Sequence, residues 1–291
     1  MPLVSGISLV CFAASYAVAW LLEAMALVFQ MRARPRLALI FVLAGFAAHT
    51  LYLGARAVQR SASPLSSNFD WCLVAAWLLL AAYLYLHYFY PKAGLGLYML
   101  PLVLALVGAA ALADRTPFAP GPASRVWGVV HGVFLLLGTV AVLVGFVAGL
   151  LYLVQANRLK RRLPPMRTLR LPSLEWLEKV NSRVVFLSAL MVGIGFFAGV
   201  ILNVIDRGHT GEVPWSDPVI WSSAAMLAWL VAAALFNACY RPARRGRKVA
   251  YLTVASLLFL IVALGSLVWV NTEHGGQKQR ASQARAVEIR S

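Results

Sequence analysis

The sequence predicts an all-α fold: a polytopic membrane helix bundle of about eight transmembrane helices, with both termini outside. Of its 291 residues, 61% are hydrophobic and only 12% are charged. Apolar runs of about twenty residues, the length that crosses a bilayer, recur along the chain. Uninterrupted runs favour helices over the alternating strands of a membrane barrel, since a helix satisfies its own backbone hydrogen bonds in lipid.

Eight apolar segments define the predicted helices, and the loops between them carry nearly all the charge. In chain order the segments cover residues 3–29, 37–55, 71–90, 95–113, 126–155, 184–204, 219–239 and 249–270. We interpret the first as a helix and not a cleavable signal peptide, because residues 3–31 form a long run that begins without Lys or Arg. We expect a single membrane domain over residues 1–275, followed by a polar, disordered tail over residues 276–291.

The basic residues predict the orientation of the bundle. The loops after helices one, three, five and seven hold 17 of the 26 Lys and Arg residues, and the opposite loops and tail hold 9. Cytoplasmic loops are enriched in Lys and Arg, so we expect both termini outside and a multi-pass location in the cell's inner (plasma) membrane. The net charge of +16 then belongs to loops facing anionic headgroups, and no nucleic-acid partner is needed to explain it.

The longest basic loop, residues 156–183, also contains Leu and Trp. This mixture has two interpretations. The loop forms a short interfacial helix that begins at Ser173, or it is only a basic anchor that fixes the orientation, the commoner role of such loops.

Two acidic residues stand out beside or within the apolar segments. Glu23 lies well inside helix one, where a carboxylate is by default a functional candidate. We favour a snorkelling pair with Arg32 or Arg34, because the inner end of the helix is about two turns away. Asp217 precedes Pro218 at the start of helix seven, the pattern of an N-cap followed by proline at the first helical position.

The cysteines and motifs exclude several classes of function. Cys11, Cys72 and Cys239 stand alone in the sequence, with no C-x-x-C and no C-x-x-C-H. Structural zinc, a dithiol redox pair and covalent haem attachment are therefore not expected. G-x-S-x-G, phosphate-loop and H-E-x-x-H motifs are also absent from the sequence. We expect no independent catalytic activity.

Four of the five histidines lie in or above the outer half of the predicted bundle. His49 and His131 sit at similar depths, roughly 10 Å below the outer boundary at about 1.5 Å per residue. His274 and His209 lie on the outer side, and only His87, within "YLYLHYFYP", is at the inner edge, in an aromatic belt. Paired imidazoles hold metals or haem iron. The alternative is that each histidine bonds a neighbouring helix or a headgroup.

Five stretches carry a family resemblance when taken in order. They are "AGFAAHTLYLGARAV", "PLSSNFDWCLVAAW", "VVHGVFLLLGTVAVLVGFVAGLLYLVQANRLKRR", "LPSLEWLEKVNSRVVFLSALMVGIGFFAGV" and "RRGRKVAYLTVASLLFLIVALGS". The ordered set resembles the cytochrome c assembly protein family. These eight-helix, haem-handling membrane proteins include the synthase core of the system II pathway and its HemX-like and YpjD-like relatives.

The chain also departs from the family's haem synthases. Their outer loop is rich in tryptophan and ends in W-D-P-K-E, whereas "EVPWSDPVIW" here keeps Trp215 and Trp221 without the Lys-Glu pair. The synthases carry a histidine near the inner end of helix seven, where this chain offers Asn237 or Tyr240. An inner bis-histidine site is therefore not implied.

The resemblance implies a haem site near the outer face. His131 matches the family histidine that opens helix five, and His274 takes the approximate place of the one after helix eight. His131 is then an axial ligand, with His49 or His274 as further ligands. Trp127, four residues earlier on the same helical side, is expected to pack against the porphyrin. Trp215 and Trp221 are what remains of the synthases' tryptophan-rich outer loop. Arg125 and Arg207 are the nearest candidates for the haem carboxylates.

Two functions remain open from the sequence. The first is a haem-handling or delivery protein in cytochrome c assembly that binds non-covalent haem b and works with membrane lipids, another assembly subunit and an apocytochrome. The second is a non-catalytic, HemX-like partner or regulator of tetrapyrrole or cytochrome biogenesis whose haem site has decayed. A small-molecule transporter lacks the expected inverted repeat with interrupted helices.

Overall fold

The computed structural model describes residues 9–29, 34–59, 67–91, 93–113, 115, 124–162, 172–205, 214–239 and 245–269. Over these ranges the chain forms eight α-helices, and a π-helical turn, Ser124–Gly128, leads into the fifth. The helices are α1 (Leu9–Phe29), α2 (Arg34–Gln59), α3 (Asn68–Phe89), α4 (Gly96–Leu112), α5 (Val129–Lys160), α6 (Leu174–Ile205), α7 (Pro218–Cys239) and α8 (Arg245–Trp269). Seven are long and apolar enough to cross a membrane, and α4 is a shorter apolar helix of 17 residues. The predicted all-α membrane bundle is confirmed.

The helices pack as two groups of four. In the first group α1 contacts α2 and α4, and α3 packs on α4; in the second α5 contacts α6 and α8, and α7 lies against both. Helix α5 joins the groups through α3 and α4. One hydrophobic core, with members such as Phe12, Leu80, Leu136 and Leu260, receives side chains from all eight helices. Apolar side chains on the outward faces, Phe186 among them, are left for lipid to cover.

Small residues let α5 and α6 approach closely. A Cβ on Gly138 of α5 would lie 2.6 Å from Cγ2 of Val192, and one on Gly195 of α6 would lie 2.8 Å from Cγ and Cδ2 of Leu135. Lipid provides no hydrophobic force between helices, so close backbone contact of this kind is a main source of their association. The α5–α6 pair is the most extensive helix contact in the described bundle.

Helix α6 begins ten residues before the predicted residue 184, at Leu174. The Oγ atom of Ser173 accepts a hydrogen bond from the Trp176 backbone N–H at 3.3 Å. Glu175 and Lys179 pair at 2.7 Å one turn apart, and the Trp176 ring packs on Tyr90, with centroids 4.5 Å apart. Ser173 therefore caps a helix that begins at Leu174, but this helix continues as one 32-residue helix six instead of forming a separate interfacial helix.

The predicted cap of α7 is confirmed. Asp217 Oδ1 accepts a hydrogen bond from the Val219 backbone N–H at 2.8 Å, and Pro218 is the first helical residue. Proline suits this position because the missing N–H would have had no helical partner.

Glu23 has partners on α3 and α4 that sequence analysis did not foresee. The Tyr83 hydroxyl donates to its Oε1 atom at 2.9 Å, and the Leu97 backbone N–H donates to the same carboxylate. A Cβ on Gly96 would lie 2.3–2.6 Å from the three carboxylate atoms. Glu23 thus caps the positive N-terminus of α4 from a neighbouring helix. The side chains of Arg32 and Arg34, its expected partners, lie outside the described residues.

Candidate functional site

His131 lies in the first turn of α5, directly after the π-helical turn. The π-helical turn itself contacts α6. Such turns are rare and are frequently found at functional sites. Trp127, the residue predicted to pack against a porphyrin, belongs to this turn and is 36% exposed.

The hydrogen bond of His131 determines its tautomer. Its Nδ1 atom lies 2.8 Å from the backbone oxygen of Gly195 on α6. A carbonyl oxygen only accepts, so Nδ1 is the donor, and in a neutral imidazole the lone pair is then on Nε2. Histidines that bind metals are usually held by such a bond from the other ring nitrogen to a carbonyl or carboxylate.

Gly199, one turn after Gly195, leaves space for the His131 ring to pack against α6. A Cβ on Gly199 would lie 2.5 Å from Nδ1 and 2.6 Å from Cε1 of His131. Only a residue without a side chain leaves the Gly195 carbonyl open to the imidazole. The sequence analysis missed both glycines, although "GFFAG", a small-xxx-small pattern at residues 195–199, was the signal that could have revealed them.

His49 is completely buried between α1 and α2. Its Nδ1 atom lies 3.2 Å from the Tyr16 hydroxyl, and its ring stacks on Phe12 with centroids 4.3 Å apart and planes 2° from parallel. Gly45 makes room for Tyr16, since a Cβ there would lie 2.5 Å from Cε1 of the tyrosine. The His49 Nε2 atom is buried without a hydrogen-bond partner among the described residues.

The structure places the two intramembrane histidines against different helices, His49 on α1 and His131 on α6. Among the described ring contacts and hydrogen bonds, none joins them. Nor do three or more His, Cys, Asp or Glu side chains of the described chain gather as metal ligands do. A joint ligand set of His49 and His131 stays a prediction. Of the two histidines, His131 has the ring orientation that is better suited to binding a metal.

A family model described as "Cytochrome C assembly protein" matches residues 65–274, most of the chain. The chain belongs to the cytochrome c assembly protein family. It is similar to the cytochrome c biogenesis protein CcsA of Guillardia theta, with 25% identity over 234 residues that cover 73% of this chain and 75% of that protein. No solved structure gives a significant match. The protein is therefore a multi-pass membrane protein with a role in cytochrome c biogenesis.

The region that matches the family begins just before α3. It includes His131, Trp127 and His274, whereas His49 in α2 precedes it. The family assignment therefore bears on the His131 site more directly than on His49.

The tryptophans of the predicted outer loop flank the cap of α7. Trp215 is 42% exposed just before the helix, and Trp221 is 68% exposed in its first turn. Both are open to a flat apolar ligand or to lipid. His274, Arg207 and the side chain of Arg125 lie outside the described residues, so their predicted roles stay predictions.

The C-terminal end of α7, the predicted inner end, holds an amide where the family's synthases carry a histidine. Asn237 is buried, and its Nδ2 atom donates to the Ser182 hydroxyl at 2.7 Å. An amide and a hydroxyl provide poor ligands for haem iron.

Two arginines at the C-terminal ends of α2 and α4, on the predicted outer side, were not foreseen. Arg56 forms an ion pair with Asp70 at the start of α3, and Asp70 also accepts a hydrogen bond from Ser67 Oγ at 2.7 Å. The guanidinium carbons of Arg56 and Arg115 lie 4.5 and 4.9 Å from the centroid of the Phe69 ring. Two cations and one carboxylate thus meet at one aromatic ring on the predicted outer side.

Proposed function

We propose that the protein binds haem b non-covalently near the outer face of the membrane through His131 and passes it on during cytochrome c assembly. The observation that carries the proposal is the His131 geometry: Nδ1 donates to the Gly195 carbonyl at 2.8 Å, which directs the lone pair to Nε2, the nitrogen that would bind iron. The sequence lacks C-x-x-C-H, so attachment to this chain is not expected.

The residues named for the proposed site have separate tasks. Gly195 and Gly199 hold the imidazole, and Trp127, Trp215 and Trp221 offer aromatic surface to the apolar ring. A neutral carbonyl partner leaves the imidazole less basic than a carboxylate partner would. Ligation of this strength suits a protein that releases its cargo, and the covalent chemistry then occurs at the thiols of the acceptor apocytochrome.

A second function has its own support. His49, one of the predicted ligands, is buried under Phe12 and hydrogen-bonded to Tyr16, which is the environment of a structural histidine. Together with the missing Lys-Glu pair in the outer loop, this favours a HemX-like partner or regulator of tetrapyrrole or cytochrome biogenesis with a decayed haem site.

Haem content distinguishes the two functions. We would purify the protein in mild detergent from haem-replete cells, record its absorption spectrum and quantify haem as the pyridine haemochrome. Stoichiometric haem that is lost in His131→Ala and kept in His87→Ala supports haem handling. Acidification should also release it, because a protonated imidazole cannot bind iron. Protein that stays haem-free after haemin is added supports the regulatory function.

We also propose that the protein lies in the inner membrane with its termini outside, among membrane lipids, a further assembly subunit and an apocytochrome. The basis for the orientation is the 17 to 9 distribution of basic residues. Cysteines placed singly at positions 209 and 244, in a background without the three native cysteines, test the orientation. An impermeant thiol reagent applied from outside should label position 209; labelling of position 244 alone would reverse the topology.

A further inference from the structure

The predicted outer side of the bundle is poor in basic residues, yet the segments that join α2 to α3 and α4 to α5 concentrate arginine. Residues 56–70 and 113–125 together contain four arginines, two aspartates and no lysine. A positive excess on this side opposes the usual distribution of charge across a membrane. Arginine differs from lysine in presenting a planar fork of N–H donors that matches a carboxylate. The composition of these segments therefore favours recognition of an anion.

Phe69 brings two of these arginines together. The guanidinium carbons of Arg56 and Arg115 lie 4.5 and 4.9 Å from the centroid of its ring, and the ring itself is completely buried. Attraction between each cation and the aromatic ring offsets part of the repulsion between the two charges. Arg115 is exposed, so a ligand at the outer surface can reach it.

The hydrogen-bonding capacity of Arg56 is incompletely used. Its Nε atom pairs with Oδ1 of Asp70, while Oδ2 of the same carboxylate accepts a hydrogen bond from Ser67 at 2.7 Å. The Nη2 atom of Arg56 is buried without a hydrogen-bond partner among the described residues. Such an orphaned donor on a charged group is costly and calls for a missing anion or water. The cluster therefore keeps positive potential that Asp70 does not cancel.

The arginines lie at the same end of the bundle as His131. Helices α2 and α4 end on this side, and α3 and α5 begin there, with His131 in the first turn of α5. Helix α5 packs against both α3 and α4, and packed helices lie about 8–10 Å apart. Haem carries its iron at the centre of the ring and its two carboxylates at one edge. A haem on His131 can thus direct that edge towards the neighbouring helix ends.

We propose that Arg115, supported by the positive charge of Arg56, binds a carboxylate of the haem that His131 ligates. This inference rests on the proposed haem binding and adds the group that recognises the charged edge of the ligand. The tryptophans near His131 contact only the apolar ring. They cannot distinguish a haem with ionised carboxylates from one whose carboxylates are esterified, whereas an arginine can.

Titration of the purified full-length protein with haemin and with haemin dimethyl ester tests the contact. The two ligands share iron and ring, but the ester has no ionised carboxylate. We expect haemin to bind about tenfold more tightly, the change expected for one charge-assisted hydrogen bond. Arg115→Gln should remove most of this preference without changing the affinity for the ester, and Arg115→Lys should keep part of it. Arg183→Gln, at an exposed arginine near the opposite end of the bundle, is the matched control and should leave the preference intact.

The outcomes separate this inference from haem binding itself. Equal affinity of the unmodified protein for both ligands would overturn the carboxylate contact while leaving haem binding in place. Binding of neither ligand would overturn both. A folded Arg115→Gln variant that retains the preference would also refute the assignment. If that variant fails to fold, salt dependence of the unmodified protein decides: added salt should weaken haemin binding more than ester binding, because it screens only the charged contact, and an unaltered ratio would contradict the proposal.

Discussion

Gly199→Ala should weaken haem binding while leaving the fold almost as stable as before. The new Cβ would lie 2.5 and 2.6 Å from two atoms of the His131 ring, whereas favourable heavy-atom contacts are about 3.5–4.0 Å. The ring must therefore retreat by roughly 1 Å. That movement breaks the bond from Nδ1 to the Gly195 carbonyl, now 2.8 Å long.

Two opposing terms decide the effect on stability. Loss of an interhelical hydrogen bond in a membrane costs about 0.6–1.7 kcal/mol, and replacing glycine by alanine within a helix gains about 1 kcal/mol. The net change in the free energy of unfolding is then within about 1 kcal/mol. The ligand loses its orienting partner, however, which typically lowers metal affinity about 10–100-fold.

The assay combines haemin titration followed by absorbance with thermal unfolding of the same samples. Gly132→Ala is the matched control, because a Cβ there would meet no atom within 4 Å although the residue adjoins His131. Unchanged haemin affinity in Gly199→Ala would refute the role of Gly199 in positioning the His131 ring. Weaker binding accompanied by a large fall in melting temperature would show that the variant acts through the fold instead.

Two further predictions concern helix caps and are read by thermal unfolding. Gly96→Ala should destabilise the protein by about 1–3 kcal/mol, because its Cβ displaces the Glu23 carboxylate from a buried polar contact; adding Glu23→Ala should cost less than the separate effects combined. Gly108→Ala, whose Cβ would meet no atom within 4 Å, is its control, and equal losses at both glycines would contradict the contact. Asp217→Ala should cost about 1 kcal/mol through the lost N-cap, and an unchanged melting temperature would show that the cap contributes nothing.

The sequence determined the fold class, the helix order and the cap of α7, because these depend on local rules. A bilayer requires each long apolar segment to satisfy its own backbone, so eight such runs are enough to predict the bundle. Asp217 followed by Pro218 forms a cap with atoms that lie within three residues. The start of α6 shows the limit of this approach. The sequence left open a short interfacial helix from Ser173 or a basic anchor, whereas Trp176 packs on Tyr90 of the distant α3–α4 connection and one helix continues from Leu174 into the membrane.

Only the tertiary structure decided what the polar groups inside the bundle contact. The sequence predicts that His49 and His131 lie at similar depths in the membrane. Depth does not tell which neighbouring helix each imidazole ring contacts. His131 faces Gly195 on α6 across 64 residues of chain, and His49 faces Tyr16 on α1. Glu23 likewise accepts a hydrogen bond from Tyr83, which lies 60 residues away in the chain. These contacts depend on how each helix is rotated and on how closely two helices approach. Glycines on the opposite helix determine that distance, and local sequence does not encode it.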